Sequence, residues 1–326
     1  AFSIWSFNCI AFLVVRSYDG FEFNDISVGL RFLDSHRGVF RWHICYNMVV
    51  LKMISFGMDL HWRRTGQRTS AGSSAPMLSY KQRSEDSSPD DAFSWLMYFC
   101  YLFYPPLYLA GPTISFNAFV SYRATPQNTY TWRGIALYGL RLAGSCLAIE
   151  ILTHTVYANA IAKSGRWKAA GLSSAEVGIA GWLVLNFMWL KFLIIWRFFR
   201  LWALIDGVEP PENMQRCVNN NYDIEGFWKN WHVSYNRWLV RYLYIPLGGA
   251  RRRLLNMWPT FIFVAMWHDL DPKLLGWAVI CCTFAIPALM KAACGGGPAL
   301  PQPSVESRSL HAPCTRASTL DARDGQ

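Results

Sequence analysis

Charge is scarce in this chain. Of 326 residues, 16% are Asp, Glu, Lys or Arg, against about 25% in ordinary soluble domains. Length alone permits one large soluble domain, but so thin a polar cover argues against it. Other absences narrow the chemistry. The nine cysteines are odd in number and include no C-x-x-C, so no disulfide framework organises the chain. No G-x-S-x-G occurs, which excludes the serine elbow of α/β-hydrolases. No ligand cluster spaced for a metal is visible. No helix-turn-helix or RNA-binding pattern accompanies the net charge of +10, so nucleic acid is not an expected partner. No cleavable signal peptide is visible and the first residue is Ala1; the chain reads as a piece of a longer gene product.

What is present is apolar and aromatic. Hydrophobic residues make up 52% of the chain, and 16 are Trp. Residues 177–196 read VGIAGWLVLNFMWLKFLIIW, with Lys191 as the single charge. A bilayer core of roughly 30 Å takes about 20 such residues as a helix. Further candidate spans are 92–111, 134–157 and one or two passes within 254–290. Residues 39–60 form a weaker one, interrupted by Arg41, His43 and Lys52, and 1–15 look like the stub of another. The expectation is six to eight membrane segments in an incomplete all-α, polytopic transmembrane helix bundle. The membrane-embedded domain covers 1–294, with a polar, Ser-rich and partly disordered loop at about 62–91. The tail, 295–326, has Gly, Pro, Ser, Arg and Asp but no periodicity; it is either disordered or a misjoined stretch. Arg63–Arg64, Arg197 with Arg200, and Arg251–Arg253 flank apolar runs, as expected of cytoplasmic loops at an anionic lipid surface.

The chemistry concentrates in residues 227–238, FWKNWHVSYNRW, and 261–268, FIFVAMWH. Read as one helix, 231–244 places His232, Tyr235, Asn236 and Leu239 on a single face, because residues three and four apart are neighbours. That face offers an imidazole and an amide together. His268 follows His232 by 36 residues, enough for a helix, a turn and a second helix, so the two can meet. A histidine in apolar surroundings stays neutral near pH 7 and can serve as a general base. Polar groups at membrane depth are functional candidates, although a lone histidine can equally satisfy a core carbonyl. Glu150 and His154, four apart, are placed to bond each other near a helix end.

The stretches FWKNWHVSYNRWLVRYLYIPLGG (227–249) and FVAMWH (263–268) resemble the membrane-bound O-acyltransferase (MBOAT) family. FYPPLYLAGPTISFNAF (103–119) and LKMISFGMD (51–59) are similar to its branch of glycerol uptake proteins and Hedgehog acyltransferase. The resemblance covers roughly 40–293. It implies a multi-pass bundle in the endoplasmic reticulum membrane and an acyl-CoA-dependent acyltransferase. His268 is then the catalytic base and His232 its polar partner. Trp231, Asn236 and Arg241 line the substrate, with long-chain acyl-CoA as co-substrate and a membrane lipid or protein as acceptor. Within that branch the implied acceptor is a deacylated glycosylphosphatidylinositol (GPI) anchor. Protein acylation of the Hedgehog type is the alternative, and glycerol transport or a catalytically inactive regulator are the readings outside enzymology. Arg241 and the triple arginine 251–253 are candidates to meet CoA phosphates, the triple arginine alternatively to anchor topology. Residues 210–218 also resemble the segment in which Hedgehog acyltransferase ligates a haem, which would make Cys217 its thiolate ligand.

Overall fold

Apolar runs in this chain become helices where a small polar residue precedes them and takes up the first free amides. Thr131 Oγ1 accepts from Gly134 N at 3.3 Å to open the helix Trp132–Thr155. Ser173 and Glu176 form a reciprocal capping box at the start of Ser174–Ile205, and Ser94 and Ser115 cap two shorter helices. Each such cap is worth about 1 kcal/mol. A computed structural model describes residues 1–17, 22–36, 42–66, 78–165 and 171–294. Two units divide the chain, Ala1–Ala285 and Ile286–Gln326. The histidines and the elements that hold them belong to the first. Of the second, only the helical backbone to Cys294 is described, and the tail 295–326 lies outside the described residues.

The helices that position the site are α1 (Phe2–Ser17), α2 (Trp42–Thr65), α3 (Trp95–Phe103), α4 (Pro105–Leu109), α5 (Phe116–Ala124), α6 (Trp132–Thr155), α7 (Ser174–Ile205), α8 (Ile224–Asn230), α9 (Val233–Leu239), α10 (Arg253–His268) and α11 (Pro272–Cys294). Among the described residues the extended backbone amounts to an isolated bridge between Met214 and Trp231. The all-α expectation is therefore met. The expected run 92–111 is cut in two at Tyr104, because Pro105 and Pro106 cannot supply amides to a continuing helix. The expected region 254–290 resolves into two helices, α10 and α11. The polar loop is not structureless throughout. Tyr80–Glu85 is a capped helix, and Arg83 ties it to α5 through Ser121 Oγ at 3.0 Å and the Thr125 carbonyl at 2.8 Å.

Two helices, α6 with 24 residues and α7 with 32, are long and apolar enough to cross a membrane. At 1.5 Å per residue they measure about 36 and 48 Å. Phe2–Ser17 and Pro272–Pro287 are shorter apolar helices. Among the described residues, then, length and hydropathy mark two full spans rather than six to eight. One reason is α2: it is long enough, but Lys52, Asp59, Arg63 and Arg64 break its apolar character.

The interior is built around α2. Leu51, Ile54 and Met58 pack with Trp238, Tyr242 and Trp267 in one buried cluster, while Tyr101, Ile114 and Phe116 anchor another. Between them runs the irregular segment 110–115, buried almost throughout. Irregular backbone at such depth persists only if its amides find partners, and side chains provide them. Thr113 N donates to Ser234 Oγ at 2.9 Å, and where the segment enters α5, Phe116 N donates to Ser55 Oγ at 3.1 Å and Asn117 N to Asp59 Oδ2 at 3.2 Å. Gly111 permits the turn into this segment, since a Cβ there would lie 2.3 Å from the Pro106 carbonyl oxygen.

Candidate functional site

His232 lies between α8 and α9, outside regular helix. Its φ of 50° is the one positive value at a non-glycine among the described residues. The left-handed conformation costs an L-residue roughly 1–2 kcal/mol, so surrounding bonds must hold it. They come from the irregular segment after α7. Val233 N donates to the Asn213 carbonyl at 3.1 Å, and Ser234 N to Asn213 Oδ1 at 3.0 Å. On the other side, Gln215 N donates to the Asn230 carbonyl at 3.3 Å. The shared helical face expected over 231–244 is therefore corrected. α8 stops at Asn230, His232 is turned out of the helix, and α9 begins after it.

That turn lays the imidazole on an aromatic wall. Its centroid is 4.3 Å from the Trp196 ring, nearly parallel at 22°, and 5.1 Å from Tyr235. The His232 Nε2 and Tyr235 Oη atoms are enclosed and have no hydrogen-bond partner within the protein. Buried polar atoms in native proteins are normally paired. Two unpaired ones in adjoining rings set this wall apart from the rest of the interior.

Trp267 joins the second histidine to this wall. Its ring lies 4.4 Å from Tyr235, 6.2 Å from His232 and 5.0 Å from His268. A reciprocal pair of bonds fixes it: Trp267 Nε1 donates to the Asn47 carbonyl at 3.0 Å, and Asn47 Nδ2 donates to the Trp267 carbonyl. Just beyond, Asp269 pairs with Arg16 of α1. His268 ends α10 and is open to the surroundings, whereas His232 Nε2 is closed in. Both expected histidines thus meet at one indole, one facing out and one facing in.

A family model of the membrane-bound O-acyltransferases matches residues 3–291. The chain belongs to that family. The membrane-bound O-acyltransferase gup1 of Schizosaccharomyces pombe is 40% identical over 275 residues, 82% of this chain and 47% of that protein. GUP1 of Saccharomyces cerevisiae is 36% identical over 297 residues, 88% of this chain and 53% of its own length. More distant is the protein-cysteine N-palmitoyltransferase HHAT of Mus musculus, 29% identical over 203 residues, 58% of this chain and 38% of that protein. The chain spans about half the length of the curated relatives it matches most strongly. As an O-acyltransferase-family chain with long apolar helices, it is a membrane protein.

The other expected site residues fall in three groups. Trp231 is stacked on Phe227, with centroids 5.6 Å apart, and meets Phe192 of α7, so it braces the wall behind His232. Asn236 is half-buried one turn beyond His232, its amide bonded to the His232 carbonyl at 3.0 Å. Arg241 is elsewhere. It points into the interior and pairs with Asp59 at 2.9 Å, beneath the Trp62 ring, so a role in meeting CoA phosphates is corrected to a structural one. Arg253 pairs with Glu225 at 3.1 Å, while Arg251 and Arg252 remain exposed.

Cys217 opens a single turn, Val218–Asn220, whose own groups close on its carbonyl; Asn220 N donates at 2.9 Å and Asn221 Nδ2 at 3.2 Å. Two apolar cavities lie elsewhere, one at Phe12, Val50 and Trp267 and one at Phe227, Trp228 and Phe284. Of the expected haem ligand the structure shows a half-buried thiol at the start of that turn and no more.

Sequence reasoning missed Asp59, Ser55, Ser234 and Asn213. Asp59 lies 182 positions from Arg241, and no periodic pattern joins residues that far apart. The signal available was an acidic residue in an otherwise apolar run.

Proposed function

We propose that this chain carries the acyl-transfer centre of a membrane-bound O-acyltransferase that moves a long-chain acyl group from acyl-CoA to a lipid hydroxyl. The carrying observation is the convergence of His232, Tyr235 and His268 on Trp267, with His232 Nε2 and Tyr235 Oη enclosed and unpaired. Open to the surroundings, His268 takes the proton of the acceptor hydroxyl as its oxygen attacks the thioester carbonyl carbon. The tetrahedral intermediate then expels CoA thiolate, which receives that proton from His268. No acyl-enzyme is required. The enclosed His232 and Tyr235 orient the thioester or acceptor and favour the developing charge. An acyl tail gains roughly 0.8 kcal/mol per buried CH₂, which makes a lipid-facing site a natural host.

In finer detail, we assign the acceptor to the lipid of GPI anchors, in the endoplasmic reticulum membrane, in keeping with the similarity to the fungal GUP1 proteins. Similarity to a protein-cysteine N-palmitoyltransferase supports a second reading, an amine acceptor on a protein at the same centre. Purified full-length protein with labelled acyl-CoA and lyso-GPI is expected to yield acylated lipid. His268→Ala should lower kcat/KM by about 10²–10⁴. Unchanged turnover in that variant sinks the base assignment. Labelled peptide in place of labelled lipid establishes the second reading, and glycerol flux through proteoliposomes without any acyl product establishes transport.

A further inference from the structure

Asn213 carries a buried amide that the reaction scheme does not yet use. It stands 19 positions before His232, in the irregular segment between α7 and α8, and is 1% exposed. Its carbonyl and its Oδ1 accept the two successive amides that follow His232, those of Val233 and Ser234. The same segment is fixed at both ends. Val208 N donates to the Ala203 carbonyl at 2.8 Å, Arg200 Nε to the Pro210 carbonyl at 2.8 Å, and Gln215 N to the Asn230 carbonyl at 3.3 Å. Asn213 is therefore a rigid post, and residues 231–234 are wrapped against it. A histidine tolerates φ 50° better than most residues but still at a cost; the two bonds, to the side chain and the carbonyl of Asn213, offset it.

We infer that Asn213 is a positioning residue for acyl transfer, acting through its Oδ1 bond to Ser234 N to keep His232 left-handed and its ring against Trp196. The same bond steadies Ser234, whose Oγ accepts Thr113 N, so the buried segment 110–115 and the histidine are set by one contact. This rests on the acyltransferase reading above, because only there does the orientation of His232 matter to rate. Its specificity is testable through side-chain length. Asp keeps an acceptor at the Oδ1 position, Ala removes it, and Ser places its oxygen one bond short. The carbonyl bond to Val233 N survives in all three.

Full-length protein in lipid nanodiscs would be compared as wild type, Asn213→Asp, Asn213→Ala and Asn213→Ser. Two readouts are taken: kcat with KM for acyl-CoA, and the rate at which diethyl pyrocarbonate modifies His232, read by mass spectrometry. Ala and Ser are expected to lower kcat about tenfold or more, as small misplacements do. KM should hold within about twofold. His232 should be modified about fivefold faster or more as the turn loosens. Asp should restore both readouts to near wild type. If Ala does not fold, Ser with Asp still decides the matter. The inference is overturned if Ser or Ala leaves kcat and His232 modification unchanged, or if Asp, folded, behaves like Ser. A wild type without acyl product would remove the acyltransferase reading, while the modification rates would still decide the clamp.

Discussion

The α6–α7 pair and the α2–α9–α10 centre are both helical and both rich in apolar residues, yet they use them in opposite ways. In the membrane-crossing windows of α6 and α7 only 17% and 6% of residues are buried within the protein. Leu140, Leu147 and Ile151 of α6 are all more than half exposed. Around α2 the apolar residues are inward, and with them are Lys52, Ser55, Asp59, Arg241 and Asn256, each almost wholly enclosed. The first region turns its apolar side chains outward; the second encloses them together with polar ones. Its buried polar groups are paired: Lys52 Nζ meets two carbonyls, of Tyr101 and Leu102, and Asp59 receives Arg241, Tyr242 and the Asn117 amide. The candidate histidines lie on the rim of that polar interior. Its order is therefore what the site depends on.

The contrast is broken most directly at Asp59. Asp59→Ala strands the Arg241 guanidinium and the Asn117 amide inside the protein. Removing one partner of a buried ion pair typically costs about 3–5 kcal/mol, and a loss of that size is expected in the unfolding free energy measured in detergent. Replacing both partners, with Asp59→Leu and Arg241→Met, should recover much of it, since an apolar pair of similar volume is often neutral. An Asp59→Ala variant as stable as wild type would show that the centre is wetter than its geometry implies.

How much of this was legible depends on the reach of each signal. α6 and α7 were readable because an unbroken apolar run of membrane length is a local property. The break at Tyr104 was readable in principle from Pro105–Pro106, which sit inside the expected run. Both histidines were visible as polar residues in costly surroundings. His232 as a left-handed residue was not, because its φ is imposed by Asn213 across 19 positions and by nothing in its neighbours. Arg241 misled for a related reason. Its position beside Tyr242 says nothing about Asp59, and a basic residue near a motif looks like a phosphate ligand until its carboxylate partner is seen.

A smaller effect sharpens the lipid-facing half of the contrast. Leu147, 62% exposed near the middle of α6, touches little of the protein. Leu147→Ala should alter stability by less than about 0.5 kcal/mol. Leu147→Arg should instead disfavour insertion by about 2.5–3.5 kcal/mol, the apparent cost of Arg at a helix centre. Glycosylation mapping in microsomes measures the inserted fraction. Equal insertion of Arg and Leu would place this face against protein rather than lipid.

The smallest effect bears on the join between the two regions, where His232 of the centre rests on Trp196 of α7. A non-aromatic replacement of His232 forfeits that stacking, worth about 0.5–1.5 kcal/mol, so loss of stability alone says little about the backbone. A pair of replacements separates the two effects. Asn adopts the left-handed conformation readily, whereas a β-branched residue there is a strained outlier. His232→Asn and His232→Val both lose the imidazole, and they differ chiefly in what φ 50° costs them. Val is expected to be less stable than Asn by about 1–2 kcal/mol, measured as the difference in unfolding free energy in one detergent. Equal stability would mean that the chain at His232 relaxes to an ordinary helix in the membrane. The bonds from Asn213 would then be too weak to hold the turn, and the imidazole would point along α9 with Asn236 rather than against Trp196.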